Sequence, residues 1–182
     1  VNLLANRNIS LRALEPEDLE VLYRWENDTG LWNLSNTLVP YSRYLLKEYL
    51  EHSRKDIFEL KQLRLIIELN EDRRPVGAID LFDFDPFHRR AGVGILIAEK
   101  SDRRKGYARE ALETLKDYAF RVLNLHQLYC NIGANNQDSM KLFKAAGFRV
   151  AGEKKEWLFN GKGFEDEWML QCINPEYRSG TS

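Results

Sequence analysis

The sequence predicts a mixed α/β domain of the α+β kind: a mostly antiparallel sheet of about seven strands, about four helices and a central strand–helix–strand unit. Three observations carry this reading. Seven segments show strand alternation or short apolar runs bounded by turn residues. A long amphipathic segment, 106–123, separates two of those strands. Between two others, Asn160-Gly161 is a hairpin signal.

Taken in order, NISLRAL (8–14) alternates apolar and polar residues, the period of a half-buried strand. PEDLEVLYRWEND (16–28) reads as a helix, with Pro16 suited to a first turn and Glu17 and Asp18 at its favourable end. Leu19, Leu22, Tyr23 and Glu26 follow at helical spacing. A less regular stretch leads to a second helix, about 42–54, with Ser42 as its N-cap. RLIIEL (64–69) and VGAIDLFDF (76–84) read as an antiparallel pair joined by NEDRRP. In AGVGILIA (91–98), Gly92 and Gly94 mark a bulge or a close backbone approach.

Along helix 106–123, Ala108, Ala111, Leu112, Leu115, Ala119 and Val122 share the face that packs on the sheet. QLYCNIGA (127–134) is a strand and 138–146 a short helix, with Gly147 at C′ and Phe148 as the contact that follows. FRVAGEKKEWLF (148–159) and GFEDEWML (163–170) are the hairpin strands. Residues 1–177 form one domain by length, and the polar tail 178–182 is expected to be flexible.

A formal net charge of -1 argues against a general nucleic-acid or membrane-surface binder. Cys130 and Cys172 belong to no CxxC or Cys/His cluster, so no metal site is expected and both read as reduced thiols. Neither a signal-like start nor a membrane-spanning apolar run is present, which makes the cytoplasm the expected location.

The stretch DRRKGYAREAL (102–112) places cations at the start of a helix, where the dipole disfavours them unless an anion lies between. Successive N–H groups at a helix start, with Gly106 allowing close approach, suit a phosphate. Arg103, Arg104 and Lys105 add charge, and Arg109 lies about one turn on. The Walker spacing and the three-glycine dinucleotide fingerprint are both absent.

Arg103-x-x-Gly106-x-Ala108 resembles the pyrophosphate loop of the GNAT family of N-acetyltransferases. The order around it is similar too: GVGILIA before, a long helix after, then NNQDSMKLFKAAGF, which resembles the family's second CoA motif from Asn136 through Gly147-Phe148. The resemblance extends over about 8–177, and the spermidine and ribosomal-protein N-terminal acetyltransferase groups are the most similar.

It implies a sheet that splays between strands 91–98 and 127–134, with acetyl-CoA as cosubstrate. Pantetheine would run along the backbone of Ile95 and Ile97, an N–H near Leu96 would hold the oxyanion, and the loop 103–109, Tyr107 included, would hold the pyrophosphate. Asn136 would bond the cofactor near its thiol end, or cap its helix, or both. Many members carry a tyrosine that protonates the leaving thiolate. Here that position is Phe143, and Ser139 is the candidate in its place.

The acceptor implied is a primary amine, either a polyamine such as spermidine or a peptide N-terminus. Trp25, Glu26, Asp28, Trp32 and Asp80 are its candidate contacts, with Asp83 and Asp85 further along the same strand. Spermidine acetyltransferases tend to carry an acidic residue where this chain has Gly92. Self-association is left open. The competing reading, favoured by Phe143, is an acyl-CoA-binding sensor with little turnover.

Overall fold

A computed structural model describes residues 2–177. The expected tail 178–182 lies outside the described residues. One seven-stranded sheet runs in the order β1-β2-β3-β4-β5-β7-β6. Its strands are β1 (Ile9–Ala13), β2 (Leu63–Leu69), β3 (Pro75–Asp85), β4 (Arg90–Ile97), β5 (Gln127–Gly133), β6 (Arg149–Phe159) and β7 (Phe164–Ile173). Every neighbouring pair is antiparallel except β4 and β5.

The described residues hold six helices: α1 (Leu19–Glu26), α2 (Trp32–Ser35), α3 (Arg43–His52), α4 (Ile57–Leu60), α5 (Tyr107–Arg121) and α6 (Gln137–Ala145). The two beyond the expected four, α2 and α4, are single turns too short for a hydrophobic period to reveal. Pro16–Asp18 forms a 3-10 turn before α1. Asp18 is turned back to the Arg12 guanidinium and the Glu15 N–H, so it is buried rather than solvated. Ser42 caps α3 as expected, accepting from the Leu45 N–H at 3.1 Å.

Both sheet faces are covered, which explains the unbroken apolar run in β2. Leu65 and Ile67 enter the core under α5 and α6, while Ile66 enters a second core under α1 and α3. On α5, Ala111, Leu112, Leu115 and Ala119 are buried and Ala108 is half-buried. Val122 departs from the expected face: it lies past the helix end and is 53% exposed.

The helix α6 ends in a Schellman motif. Phe148 N–H donates to the Phe143 carbonyl at 3.0 Å and Gly147 N–H to Lys144 at 3.1 Å, with Gly147 at φ 92. The hairpin at Asn160-Gly161 has a four-residue loop, since Phe159 pairs with Phe164. Asn160 Oδ1 accepts from the Lys162 and Gly163 N–H groups. In β3 the run of aspartates is broken by a bulge: Asp83 has φ 48, and Asp85 accepts from the His88 N–H.

Candidate functional site, an open cleft between β4 and β5

The parallel pairing of β4 and β5 lasts three rungs, ending at Gly92↔Tyr129. Beyond it β4 stays on β3 as far as Gly77↔Ile97, and β5 stays on β7 as far as Gly133↔Glu167. The two strands diverge and open a cleft of about 1020 Å³.

Gly92 is explained at the last rung. A Cβ there would meet the Phe82 ring at 2.3 Å, and that ring packs edge-on against Tyr129 at 5.9 Å. The position has no room for an acidic side chain. Gly94, two residues into the cleft on the same sheet face, meets nothing within 4 Å.

Pairing also decides which backbone groups face the cleft. Ala98 N–H donates to Val76 across the β3–β4 ladder. In an antiparallel register hydrogen-bonded pairs alternate, so Leu96 is turned toward Ala78, whereas Ile95 and Ile97 are aimed at the cleft. This corrects the expectation at Leu96: the residue lines the cleft, but its N–H is directed into the ladder. The cleft-facing donors of this strand are those of its two neighbours.

At one end of the cleft, the 3-10 turn Lys100–Asp102 leads into the cationic loop. Arg103 donates to the carbonyls of Ile97 and Ala98 at 3.2 and 3.4 Å, so its guanidinium ties the loop to the end of β4. Arg104 (φ 60) and Gly106 (φ 85) are left-handed, and Gly106 is the N-cap of α5 with no side-chain cap. The first N–H groups of α5, at Tyr107 and Ala108, therefore face the cleft without a side-chain acceptor. Arg104, Lys105 and Arg109 are exposed, and Arg109 lies 3.5 Å from Glu113.

Asn136 caps α6, its Oδ1 accepting from the Ser139 N–H at 3.2 Å. Its amide nitrogen has no protein acceptor among the described residues. Ser139 lines the cleft half-buried, and its hydroxyl bonds no local backbone group. Phe143 lines the cleft with a ring that is otherwise buried against Phe148, centroids 5.0 Å apart. Cys130 also borders the cleft, but it is 1% exposed and burial pushes its thiol up to about 12. A thiol that basic holds almost no thiolate at neutral pH.

The residues expected to contact the acceptor sit elsewhere. Trp25 is 5% exposed and packs in the second core with Leu22, Leu31 and Leu46. Glu26 and Asp80 are both taken by Arg64, with distances of 2.9 Å to Glu26 and 2.8 and 2.9 Å to Asp80. The Arg64 guanidinium also lies over the Tyr49 ring. Trp32 donates its indole N–H to the Glu26 carbonyl, and Asp28 accepts from Gly30 in a turn. None of the five lines the cleft; from this side Asn33, Leu34 and Asn36 do.

Two carboxylates that sequence reasoning missed line it instead. Glu165 and Glu167 stand two apart on β7, on one face of the strand. Glu165 accepts from the Asn135 side chain, in space left by Gly133, where a Cβ would come within 3.0 Å of it. Glu167 is 8% exposed and pairs with Lys154 at 2.6 Å. The period-2 spacing in FEDEW was the available signal.

Among the described residues no three His, Cys, Asp or Glu side chains come together to hold a metal, and no helix is long and apolar enough to cross a membrane.

Comparison with known proteins agrees with this geometry. A family model described as an acetyltransferase (GNAT) domain matches residues 8–149. The spermidine N(1)-acetyltransferase of Vibrio cholerae serotype O1 is 27% identical over 172 residues, 94% of this chain and 96% of that one. That of Escherichia coli K12 is 29% identical over 156 residues, 85% and 81% of the two chains. The crystal structure of the Vibrio cholerae spermidine N-acetyltransferase with CoA and spermine superposes with a TM-score of 0.84 at 25% identity, covering 95% of this chain and 99% of that one. The chain belongs to the GNAT family of acetyltransferases, and its activity is the transfer of an acetyl group from acetyl-CoA to a primary amine.

Proposed function

We propose that the acceptor is a small polycation of the spermidine type and that transfer is direct, with no acyl-enzyme. The observation that carries this reading is the polarity of one cleft, cationic where α5 begins and carboxylate-bearing on β7. The first end suits a diphosphate and the second an ammonium. The names of the Vibrio cholerae and Escherichia coli relatives support the same acceptor class. We read residues 1–177 as a single domain, because one sheet with a core on each face accounts for its elements.

The residue roles we assign are supported by where each group lies. The N–H groups of Tyr107 and Ala108, with the charges of Arg104, Lys105 and Arg109, hold the pyrophosphate, and Arg103 fixes the loop that presents them. The cleft-facing backbone of Ile95 and Ile97 pairs with pantetheine as an added strand would, and one of these N–H groups holds the developing oxyanion. The Asn136 amide nitrogen bonds the cofactor near its thiol end. Ser139 passes a proton to the leaving thiolate and takes back the one that the acceptor nitrogen loses as the amide forms, so its hydroxyl is regenerated. Glu165 and Glu167 attract the ammonium, the part expected of Trp25, Glu26, Asp28, Trp32 and Asp80. Burial of Cys130 as a neutral thiol supports direct transfer.

Self-association accompanies this reading. Trp157, Phe159 and Phe164 are exposed on the β6–β7 hairpin, and a dodecameric structure is known for the Vibrio cholerae relative. Sedimentation of the purified protein tests it.

The sensor reading keeps one observation in its favour, the phenylalanine at 143. Release of free CoA thiol from acetyl-CoA separates the two, with spermidine, spermine, N-terminal peptides and an aminoglycoside as acceptors. Release with the polyamines above the no-acceptor rate is expected. Release with peptides alone would overturn the acceptor class, and binding of acetyl-CoA without release to any acceptor would favour the sensor.

A further inference from the structure

We infer that Arg74, on the turn between β2 and β3, is a positioning residue for cofactor binding: it holds Asp102 and so sets both the shape and the charge of the cationic loop. The inference rests on the reading of residues 103–109 as the pyrophosphate loop.

Asp102 immediately precedes that loop and borders the cleft, yet it is 2% exposed. A lone carboxylate there would harm binding twice. Its burial without a partner is costly, and its charge would repel a pyrophosphate a few residues away. Arg74 answers both. Its guanidinium meets Asp102 with two parallel bonds of 2.7 and 2.9 Å, the planar fork that fits a carboxylate.

The pair spans 28 residues of sequence, so it joins two separate parts of the fold. The Arg74 end is itself fixed. Its N–H donates to Asp72 Oδ1, its carbonyl accepts from Leu69, and Arg73 turns the chain at φ 63. At the other end, Arg103 is tied to the carbonyls of β4. The loop is thus pinned at two consecutive residues, one by charge pairing and one by backbone. The left-handed turns at Arg104 and Gly106 then set the path into α5. With Asp102 neutralised by a cation from outside the loop, the charges of Arg104 and Lys105 remain available to an anion.

The test measures Kd for CoA and steady-state constants for acetyl-CoA in Arg74→Ala, Arg74→Lys, Asp102→Asn and the double variant Arg74→Ala/Asp102→Asn, with melting curves for each. Arg104→Ala/Lys105→Ala serves as the arm that tests the loop itself. Arg74→Ala is expected to raise KM for acetyl-CoA and Kd for CoA by about tenfold or more, with kcat at saturation within about threefold. The double variant is expected to recover much of that loss, because the orphaned carboxylate is gone, and Arg74→Lys to retain an intermediate affinity. Should Arg74→Ala not fold, the lysine and double variants carry the same comparison.

Unchanged KM in Arg74→Ala, a loss confined to kcat, or a double variant no better than the single one would overturn the inference. If Arg104→Ala/Lys105→Ala leaves CoA affinity unchanged, the loop reading falls and this inference with it. If that variant weakens binding and Arg74→Ala does not, only the role of Arg74 falls.

Discussion

Phe148 packs edge-on against Phe143, ring centroids 5.0 Å apart, and its N–H closes onto the Phe143 carbonyl at 3.0 Å. The ring at position 143 is therefore the apolar half of a helix stop. It borders the cleft, but it has no proton to give. Ser139, one turn earlier on α6, lines the same cleft, and its hydroxyl has no hydrogen-bond partner among the described residues.

Ser139→Ala should lower kcat by about 10²-fold with little change in KM for either substrate, the usual scale for a missing general acid. Adding Phe143→Tyr should restore part of that loss by returning a phenol to the helix. A serine variant with wild-type kcat across pH 7–9 would show that solvent protonates the thiolate.

Glu165→Gln should raise KM for spermidine by about tenfold, roughly 1.4 kcal/mol of lost attraction. A monoamine should lose less, since it presents a single charge. Glu167→Gln should also release Lys154, adding a cation to the cleft and weakening polyamine binding further. Equal effects on mono- and polyamines would remove the carboxylate pair from acceptor recognition.

Cys130→Ala should keep kcat within about threefold, and thiol reagents should leave the native protein unlabelled at pH 8. A buried thiol of pKa about 12 supplies neither thiolate nor access. Initial-rate plots should intersect, as a ternary complex requires. Parallel lines would restore a covalent intermediate.

Two parts of the pH profile have opposite origins. An acceptor amine with a reference pKa of about 10.4 is almost wholly protonated at neutrality, so kcat/KM should rise nearly tenfold per unit from pH 7 to 9. At the acid end, Arg74 holds the Asp102 carboxyl below the usual carboxylate range by hydrogen bonding. Its stabilisation is complete above the ordinary value of about 3.9 and is lost as pH falls through the depressed one. Acid unfolding should shift upward in Arg74→Ala, read by circular dichroism below pH 5.

Local chemistry was legible in the sequence, and distant pairing was not. Ser42, Gly147 and the Gly106 helix start declare themselves because cap residues act on neighbours a few positions away. The seven strands follow from alternation and apolar runs. Glu26 and Asp80 looked free because their partner, Arg64, is 38 residues from one and 16 from the other. Trp25 lies on the same helix as Glu26, yet faces the core. Glu165 and Glu167 passed unnoticed because only the strand pairing with β5 carries them to the cleft.

The divergence of β4 from β5 leaves this sheet with two edges in its middle. Seven strands are thus nearly a four and a three, joined by three rungs and the layers packed on them. Acetyl-CoA, placed along β4 as proposed, would work there as a missing strand, and its occupancy would enter the folding equilibrium. At a hundred times its Kd it would add about 2.7 kcal/mol. The temperature at which the two halves of the sheet come apart would then climb with acetyl-CoA concentration.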